Sequence, residues 1–319
     1  MTWLVTGGAG YIGAHVTAAL QAAGQSVAVL DDLSTGDPRR VPAGVPLLVG
    51  DAGDPETVRA ALRRHRITGV MHLAGSKSVP ESFEKPQWYH RQNVTVVTTV
   101  LEAMAEAGVG SIVLSSSAAV YGTPAAALVT EDAPTAPLNP YGDSKLLAER
   151  AMAAAPGVSW VALRYFNAVG AAAAHLGDRG ATNLLPLVFR AARTGEPLVV
   201  TGDAFATPDG TGVRDYVHVA DLAAAHLAAG AAIHAAPMAR VYNVGTGRGH
   251  SVLEVIAAVE RVCGARVPYV VGPPRPGDPA EVIAGVGRIR RELGWRARHT
   301  LIDAVRSAWH ASRLAPATV

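Results

Sequence analysis

The stretch Thr6-Gly7-Gly8-Ala9-Gly10-Tyr11-Ile12-Gly13 lies between the apolar run Trp3-Leu4-Val5 and a segment of helical composition. Glycines at a strand-to-helix junction let backbone N–H groups and the helix N-terminus approach a pyrophosphate. The spacing of Gly7, Gly10 and Gly13 is GxxGxxG, not the commoner GxGxxG. A glycine-rich turn also serves simply to pack a helix closely on a strand, so the loop alone does not establish a function.

Short apolar runs recur at Val27 to Leu30, Pro46 to Val49, Val70 to Leu73, Ile112 to Leu114 and Trp160 to Leu163, with helical stretches between them. That alternation predicts an α/β fold of Rossmann type, a doubly wound parallel sheet with crossover helices. Pro86 to Ala107 has helical spacing and stops at Gly108; Asp143 to Ala155 reads as a second helix just after Asn139-Pro140, beside the first. Beyond Phe166 the alternation weakens through Ala171 to Ala174 and Gly and Pro punctuation up to Gly212. The chain therefore reads as residues 1–167 with a returning segment at about 213–247 in a dinucleotide-binding domain. Residues 168–212 and 248–319 form a smaller, interleaved substrate domain.

Asp31 ends the second apolar run, 18 residues after Gly13. A carboxylate there accepts from both ribose hydroxyls of a dinucleotide and repels a 2′-phosphate, which favours NAD over NADP. Asp31-Asp32 also suits an ordinary strand-ending turn, and Arg39-Arg40 stand near enough to admit a phosphate.

Tyr141 and Lys145 are four residues apart, on one helix face and about 6 Å apart along its axis. An ammonium so placed favours tyrosinate, which a phenol of ordinary pKa near 10 needs to act as a base around neutrality. The chain has 25 arginines and only three lysines, Lys77, Lys85 and Lys145, so a lysine kept here is informative. Ser115-Ser116-Ser117 closes the fifth run, 24 residues before Tyr141, and puts a hydroxyl at the carboxyl edge of the sheet, where α/β proteins bind ligands.

A formal charge of +2 with dispersed basic residues does not point to nucleic acid or membrane, and Arg63-Arg64-His65-Arg66 and Arg288 to Arg291 read as solvated helix faces. Cys263 is the single cysteine, which excludes an intrachain disulfide and a cysteine-rich metal site and suits a reducing cytoplasm. No histidine spacing suggests a metal, and no apolar stretch reaches the roughly 18 residues of a spanning helix. A strand and glycine loop stand where a secretion leader would begin.

The stretches TGGAGYIG, LSSSAAVYG, NPYGDSK, RYFNAVGA, GTGVRDYVHV and RPGD, spread over nearly the whole chain, resemble the extended short-chain dehydrogenases/reductases, and among them the UDP-glucose 4-epimerases. The resemblance implies Ser117, Tyr141 and Lys145 as a catalytic trio. Tyr141 takes the 4-hydroxyl proton while hydride passes from C4 to nicotinamide, and a transient 4-ketose turns over and is reduced on its other face. Redox neutrality favours NAD that stays bound. Implied NAD contacts comprise Gly7, Gly10, Tyr11, Ile12 and Gly13 in the loop; Asp31, Asp32, Leu33, Ser34, Thr35 and Gly36 after the second strand; and Asp51 and Ala52 after the third. Leu73, Ala74, Gly75, Lys77, Asn93, Ser115, Tyr141, Lys145 and Phe166 complete that set. Implied UDP-sugar contacts are Lys77, Ser117, Tyr141, Asn167, Asn183, Leu184, Arg214, Tyr216, Arg275, Asp278 and Val282, the arginines suiting paired contacts on a diphosphate.

Two positions depart from the family pattern. Ala119 stands where many relatives have threonine, and Val282 stands near where some place a tyrosine that narrows the sugar pocket, which raises UDP-GlcNAc and UDP-GalNAc as further substrates. A dehydratase of this fold needs an acidic pair just before Val-Tyr-Gly, and here that pair is Ala118-Ala119. A UDP-glucuronate 4-epimerase differs only around C6, and a non-catalytic NAD-binding protein would have no need of the trio. Relatives pair through the two helices above, which implies a homodimer, although an apolar helix face is equally well buried within one chain.

Overall fold

Each of the six apolar runs lies in a strand of one sheet, where alternate residues face opposite sides and both sides are covered by helices. The computed structural model describes residues 1–180, 183–275 and 278–314. Its strands in the first half are β1 (Thr2–Thr6), β2 (Ser26–Asp31), β3 (Leu47–Val49), β4 (Gly69–His72), β5 (Ser111–Ser117), β6 (Leu128–Val129) and β7 (Ser159–Tyr165). Then come β8 (Asn167–Val169), β9 (Leu198–Thr201), β10 (Val213–His218), β11 (Ala239–Val244), β12 (Gly249–Ser251), β13 (Tyr269–Gly272) and β14 (Glu281–Ala284).

The main sheet has the order β11-β7-β5-β4-β1-β2-β3, with every pairing parallel. Val5, Val29, Val113 and Val161 pack under the helices Tyr11–Ala22 and Val219–Ala235, while Leu4, Leu30, Ile112 and Ala162 pack under Pro55–Arg64, Val96–Ala107 and Pro140–Ala154. The strand order reverses direction between β1 and β4, and a crevice at such a switch point is where open α/β sheets bind ligands. Thr6 and His72, the last residues of those two strands, join there through a 2.8 Å bond between Oγ1 and Nδ1.

The two expected helices are present with different ends. Asn139 caps the second through its Oδ1, which accepts from Gly142 N–H at 2.8 Å, and Pro140 occupies the first turn, so this helix starts at Pro140 and includes Tyr141. The first is broken by a π-helical turn, Arg91–Thr95, between Pro86–His90 and Val96–Ala107. The extra residue of that turn brings Asn93 inward to 1% exposure. Gly108 ends it in the left-handed conformation, φ 68°.

After β7 the strands are short. A second sheet runs β12-β10-β14-β6 with β8 also on β10, and β9 pairs with β13. A third core cluster lies under it, formed by residues such as Val188, Phe189, Val255, Val259 and Val305. Sheet membership does not follow chain order: β6, from the first half, pairs with β14, and β10 sits in the small sheet while β11 completes the large one. Among the described residues no helix is long and apolar enough to cross a membrane.

Candidate active site

Gly7 has φ +69°, and a Cβ there would come within 2.6 Å of the Ala74 nitrogen; a Cβ on Gly13 would overlap the Gly7 carbonyl. The loop therefore closes only with glycine at both positions. Gly10 precedes the helix Tyr11–Ala22, whose first turn has no side-chain cap, so its N–H groups point out at the switch point. Asp31, 7% exposed, accepts from Ala9 N–H at 2.8 Å and Leu33 N–H at 2.9 Å. Burial raises its pKa and those backbone bonds oppose the rise. A bare loop with an uncapped helix end beside a fixed carboxylate fits a pyrophosphate and the adjoining ribose diol.

Other expected cofactor residues follow along the same edge. Ser34, Thr35 and Gly36 continue from Asp31, but Asp32 is used in its own turn, its Oδ1 accepting from Ser34 N–H at 2.9 Å and Ser34 Oγ at 2.7 Å. Asp51 likewise accepts from Gly53 N–H at 2.7 Å, next to buried Ala52. Leu73, Ala74 and Gly75 follow β4, and Asn93 clasps the next residue, accepting from Ser76 N–H at 2.9 Å and donating to Ser76 O at 3.0 Å. Arg39 pairs with Asp37 at 2.8 Å and Arg40 donates to Gly177 O at 2.7 Å, so both arginines are engaged away from Asp31.

Ser117 ends β5, and Tyr141 and Lys145 lie one turn apart at the start of the neighbouring helix. Desolvation raises the Tyr141 phenol pKa, while the hydrogen bond from the Ser117 hydroxyl lowers it. The edge of Tyr89 meets its ring at 6.4 Å between centroids. Lys145 Nζ donates to the Ser115 carbonyl at 3.1 Å, and burial lowers its pKa to about 8. Ser115 thus contributes its main chain to the site. Beneath it, Tyr165 bonds His226 Nε2 at 2.5 Å; because His226 Nδ1 faces the Leu222 carbonyl at 2.9 Å, Nδ1 carries the proton and Tyr165 donates.

A cleft of about 1470 Å³ gathers the remaining expected residues. Tyr11, Ile12, Lys77, Ser117, Tyr141 and Phe166 line it. So do Asn167, Tyr216, Arg214 and Val282, which the register sets in two cross-strand pairs, Asn167 beside Tyr216 and Arg214 beside Val282. Asn183 and Leu184 open the helix Leu184–Thr194, whose N-terminus has no side-chain cap, and Arg275 and Asp278 complete the lining. Arg214 Nη2 donates to Asp278 Oδ1 at 2.8 Å, and Asn183 Nδ2 donates to Asp178 Oδ2 at 2.5 Å. Pro276 and Gly277 of the RPGD stretch lie outside the described residues.

Tyr165, Asp178, Arg179 and Phe83 also line the cleft and were not singled out from the sequence. Tyr165 stands inside RYFNAVGA, so its signal was present; Asp178 and Arg179 sit in a loop without periodicity and carry none. Arg179 pairs with Asp37 at 2.7 Å, and Tyr11 Oη donates to Gly170 O at 2.6 Å, so the 170–180 segment lies across the glycine-loop edge.

The sequence model of the NAD dependent epimerase/dehydratase family matches residues 3–245. A UDP-glucose 4-epimerase of Azospirillum brasilense is 46% identical over 319 residues, covering 97% of this chain and 92% of that protein. The crystal structure of a UDP-glucose-4-epimerase from Stenotrophomonas maltophila with bound NAD and formylated UDP-arabinopyranose superposes with a TM-score of 0.93 at 40% identity, covering 98% of each chain. The UDP-glucose 4-epimerase of Bifidobacterium longum in complex with NAD+ and UDP gives 0.91 at 39% identity, again over 98% of each. Sequence, fold and near-complete mutual coverage agree: the chain belongs to the NAD dependent epimerase/dehydratase family.

Proposed function

We propose that this protein interconverts UDP-glucose and UDP-galactose by inverting C4 through a transient 4-ketose, with NAD held throughout. The observation that carries the reading is one cleft in which the Ser117–Tyr141 pair shares walls with Arg214, Arg275 and Asp278, beside a loop with no room for a side chain at Gly7 or Gly13. NAD, when bound, supplies a hydride acceptor and donor at its nicotinamide. Tyr141 accepts the proton of the 4-hydroxyl and later returns it. Lys145, fixed by the Ser115 carbonyl, stabilises the tyrosinate, and Ser117 donates a hydrogen bond to the same oxygen. Asp278 orients Arg214, which with Arg275 and the uncapped helix end at Asn183 holds the diphosphate. The sugar turns between small side chains, Ala118, Ala119 and Val282.

On this reading residues 1–167 and about 213–247 form the NAD-binding domain and 168–212 with 248–319 the UDP-sugar-binding domain, with Ser117, Tyr141, Arg214 and Tyr216 of the first reaching into the shared cleft. Val282 in the cleft wall supports a second reading, acceptance of UDP-GlcNAc and UDP-GalNAc, because a valine leaves room for a C2 substituent. The test incubates purified protein, without added cofactor, separately with UDP-galactose, UDP-GalNAc and UDP-glucuronate. C4 epimers of the first two are expected. Epimer from UDP-glucuronate alone moves the function to that sugar, and no epimer even with NAD supplied ends the 4-epimerase reading.

The same reading includes a homodimer joined through the two neighbouring helices. Trp88, 43% exposed under the Arg91 guanidinium, leaves apolar surface for a second copy. Sedimentation equilibrium is expected to return twice the monomer mass; a monomer at micromolar concentration contradicts it.

A further inference from the structure

The helix Pro140–Ala154 carries Tyr141, Lys145 and Glu149 at successive four-residue steps, so the three side chains share one face, turn upon turn. Glu149 is 5% exposed. Its Oε1 accepts from Ser116 Oγ at 2.5 Å and Arg164 Nε at 2.9 Å, and its Oε2 accepts from Arg164 Nη2 at 2.6 Å. Ser116 lies on β5 between Ser115, whose carbonyl receives Lys145, and Ser117. Arg164 lies on β7 beside Tyr165, its guanidinium 4.8 Å from the Tyr121 ring centroid and its Nη1 with no geometric hydrogen bond among the described residues. One buried carboxylate thus ties the helix of Tyr141 and Lys145 to β5, which carries Ser117, and to β7. For packing alone, apolar residues of that volume serve as well as a buried ion pair or better, so an added role accounts for its presence.

We propose that Glu149 is a positioning residue for Lys145: it sets the rotation of the helix against β5 so that the ammonium meets the Ser115 carbonyl, and its charge one turn away keeps that ammonium protonated beneath Tyr141. The groups around Lys145 leave this task to Glu149. From β4 comes His72, kept neutral with a pKa near 3 by burial and by Lys145 itself. The π turn supplies the Asn93 amide, bonded to Ser144, and β5 supplies a carbonyl. On β7, Tyr165 beside Tyr141 is held protonated by burial, and Arg164 is locked on Glu149. Glu149 is the anion that opposes the burial-driven fall of the Lys145 pKa to about 8. With it removed, the ammonium loses its proton at lower pH, so the alkaline loss of kcat begins earlier.

The activity readout rests on the 4-epimerase reading. The experiment compares the native chain, Glu149→Gln and the double variant Glu149→Gln/Arg164→Met with UDP-galactose across pH, alongside Tm and bound NAD. The single variant leaves a buried guanidinium unpaired and loses Tm, whereas the double removes both charges and regains it. In the double variant NAD content and KM are expected to stay within about twofold, kcat at pH 8 to fall about tenfold, and the alkaline limb to move to lower pH. If kcat and the limb recover together with Tm, the ion pair is scaffolding and the proposal fails. Ser116→Ala, which frees Glu149 from β5 and keeps the ion pair, is expected to lower kcat about threefold with the limb in place; an unchanged kcat also overturns the proposal, and it decides the matter if the double variant does not fold. No turnover by the native chain removes the 4-epimerase reading itself, an outcome distinct from normal turnover by both native and variant chains.

Discussion

Tyr141→Phe is expected to slow conversion of UDP-galactose by about 10²–10⁴-fold, the range that general acid–base catalysis contributes, while the protein stays folded and keeps its cofactor. The phenol oxygen is the only atom removed. The ring keeps its edge contact with Tyr89, and the hydroxyl lost is one that desolvation already disfavours as an anion and that Ser117 must help. The glycine loop, Asp31 and the Asn93 clasp do not touch that oxygen, so NAD content measured after denaturation should equal that of the native chain. Lys145 keeps its carbonyl partner on Ser115. Single-turnover rates with UDP-galactose read the effect directly, and a variant that turns over near the native rate removes Tyr141 as the base.

Asp215→Ala is expected to be the most destabilising of the substitutions considered, by about 3–5 kcal/mol. Asp215 is fully buried on β10, between the two cleft residues Arg214 and Tyr216. One carboxylate oxygen accepts from Thr246 N–H at 2.8 Å and Thr246 Oγ1 at 2.7 Å, the other from Gly247 N–H at 2.8 Å and Ala284 N–H at 3.2 Å. Truncation strands three N–H donors where β10, β14 and the turn after β11 meet, and leaves the Thr246 hydroxyl to the Arg248 carbonyl at 3.2 Å. Urea denaturation measures the loss. A change below about 1 kcal/mol would mean that water replaces the carboxylate, and the junction would then be more open than its burial indicates.

The main sheet was legible because its strands are buried on both faces, and such strands read as unbroken apolar runs. β11 escaped because it lies at the sheet's edge, where Ala239 and Arg240 are exposed and Val241 is half-buried, so only its second half reads as a buried strand. The helix of Tyr141 begins at Pro140 and not at Asp143 because Asn139 caps it and Pro140 fills its first turn, a start signal three residues ahead of Asp143. The π turn at Asn93 was invisible, since one extra residue in a helix leaves no mark on periodicity until its neighbours are seen in space. In the site, the glycine loop, Asp31 and the Tyr141–Lys145 pair were readable because their chemistry depends on local spacing. Asp32 looked equivalent to Asp31 in sequence, yet only the structure separates a carboxylate that faces the loop from one that closes its own turn. Glu149 stood in plain register with Tyr141 and Lys145, but its partners Ser116 and Arg164 come from other strands.

The pairing of β6 with β14 bears on how the molecule is made. Among the described residues Leu128-Val129 finds its strand partner only at Ile283-Ala284, and the same segment is held by Asn243, whose Nδ2 donates to Val129 O at 2.8 Å. A chain emerging from the ribosome therefore carries an unmatched edge at Leu128-Val129 until Ala284 has been translated. Contacts so distant in sequence close slowly, and an exposed strand edge invites pairing with another chain in the interval. A nascent chain stalled after β11 would hold all seven strands of the large sheet and present its surroundings with an open seam at β6.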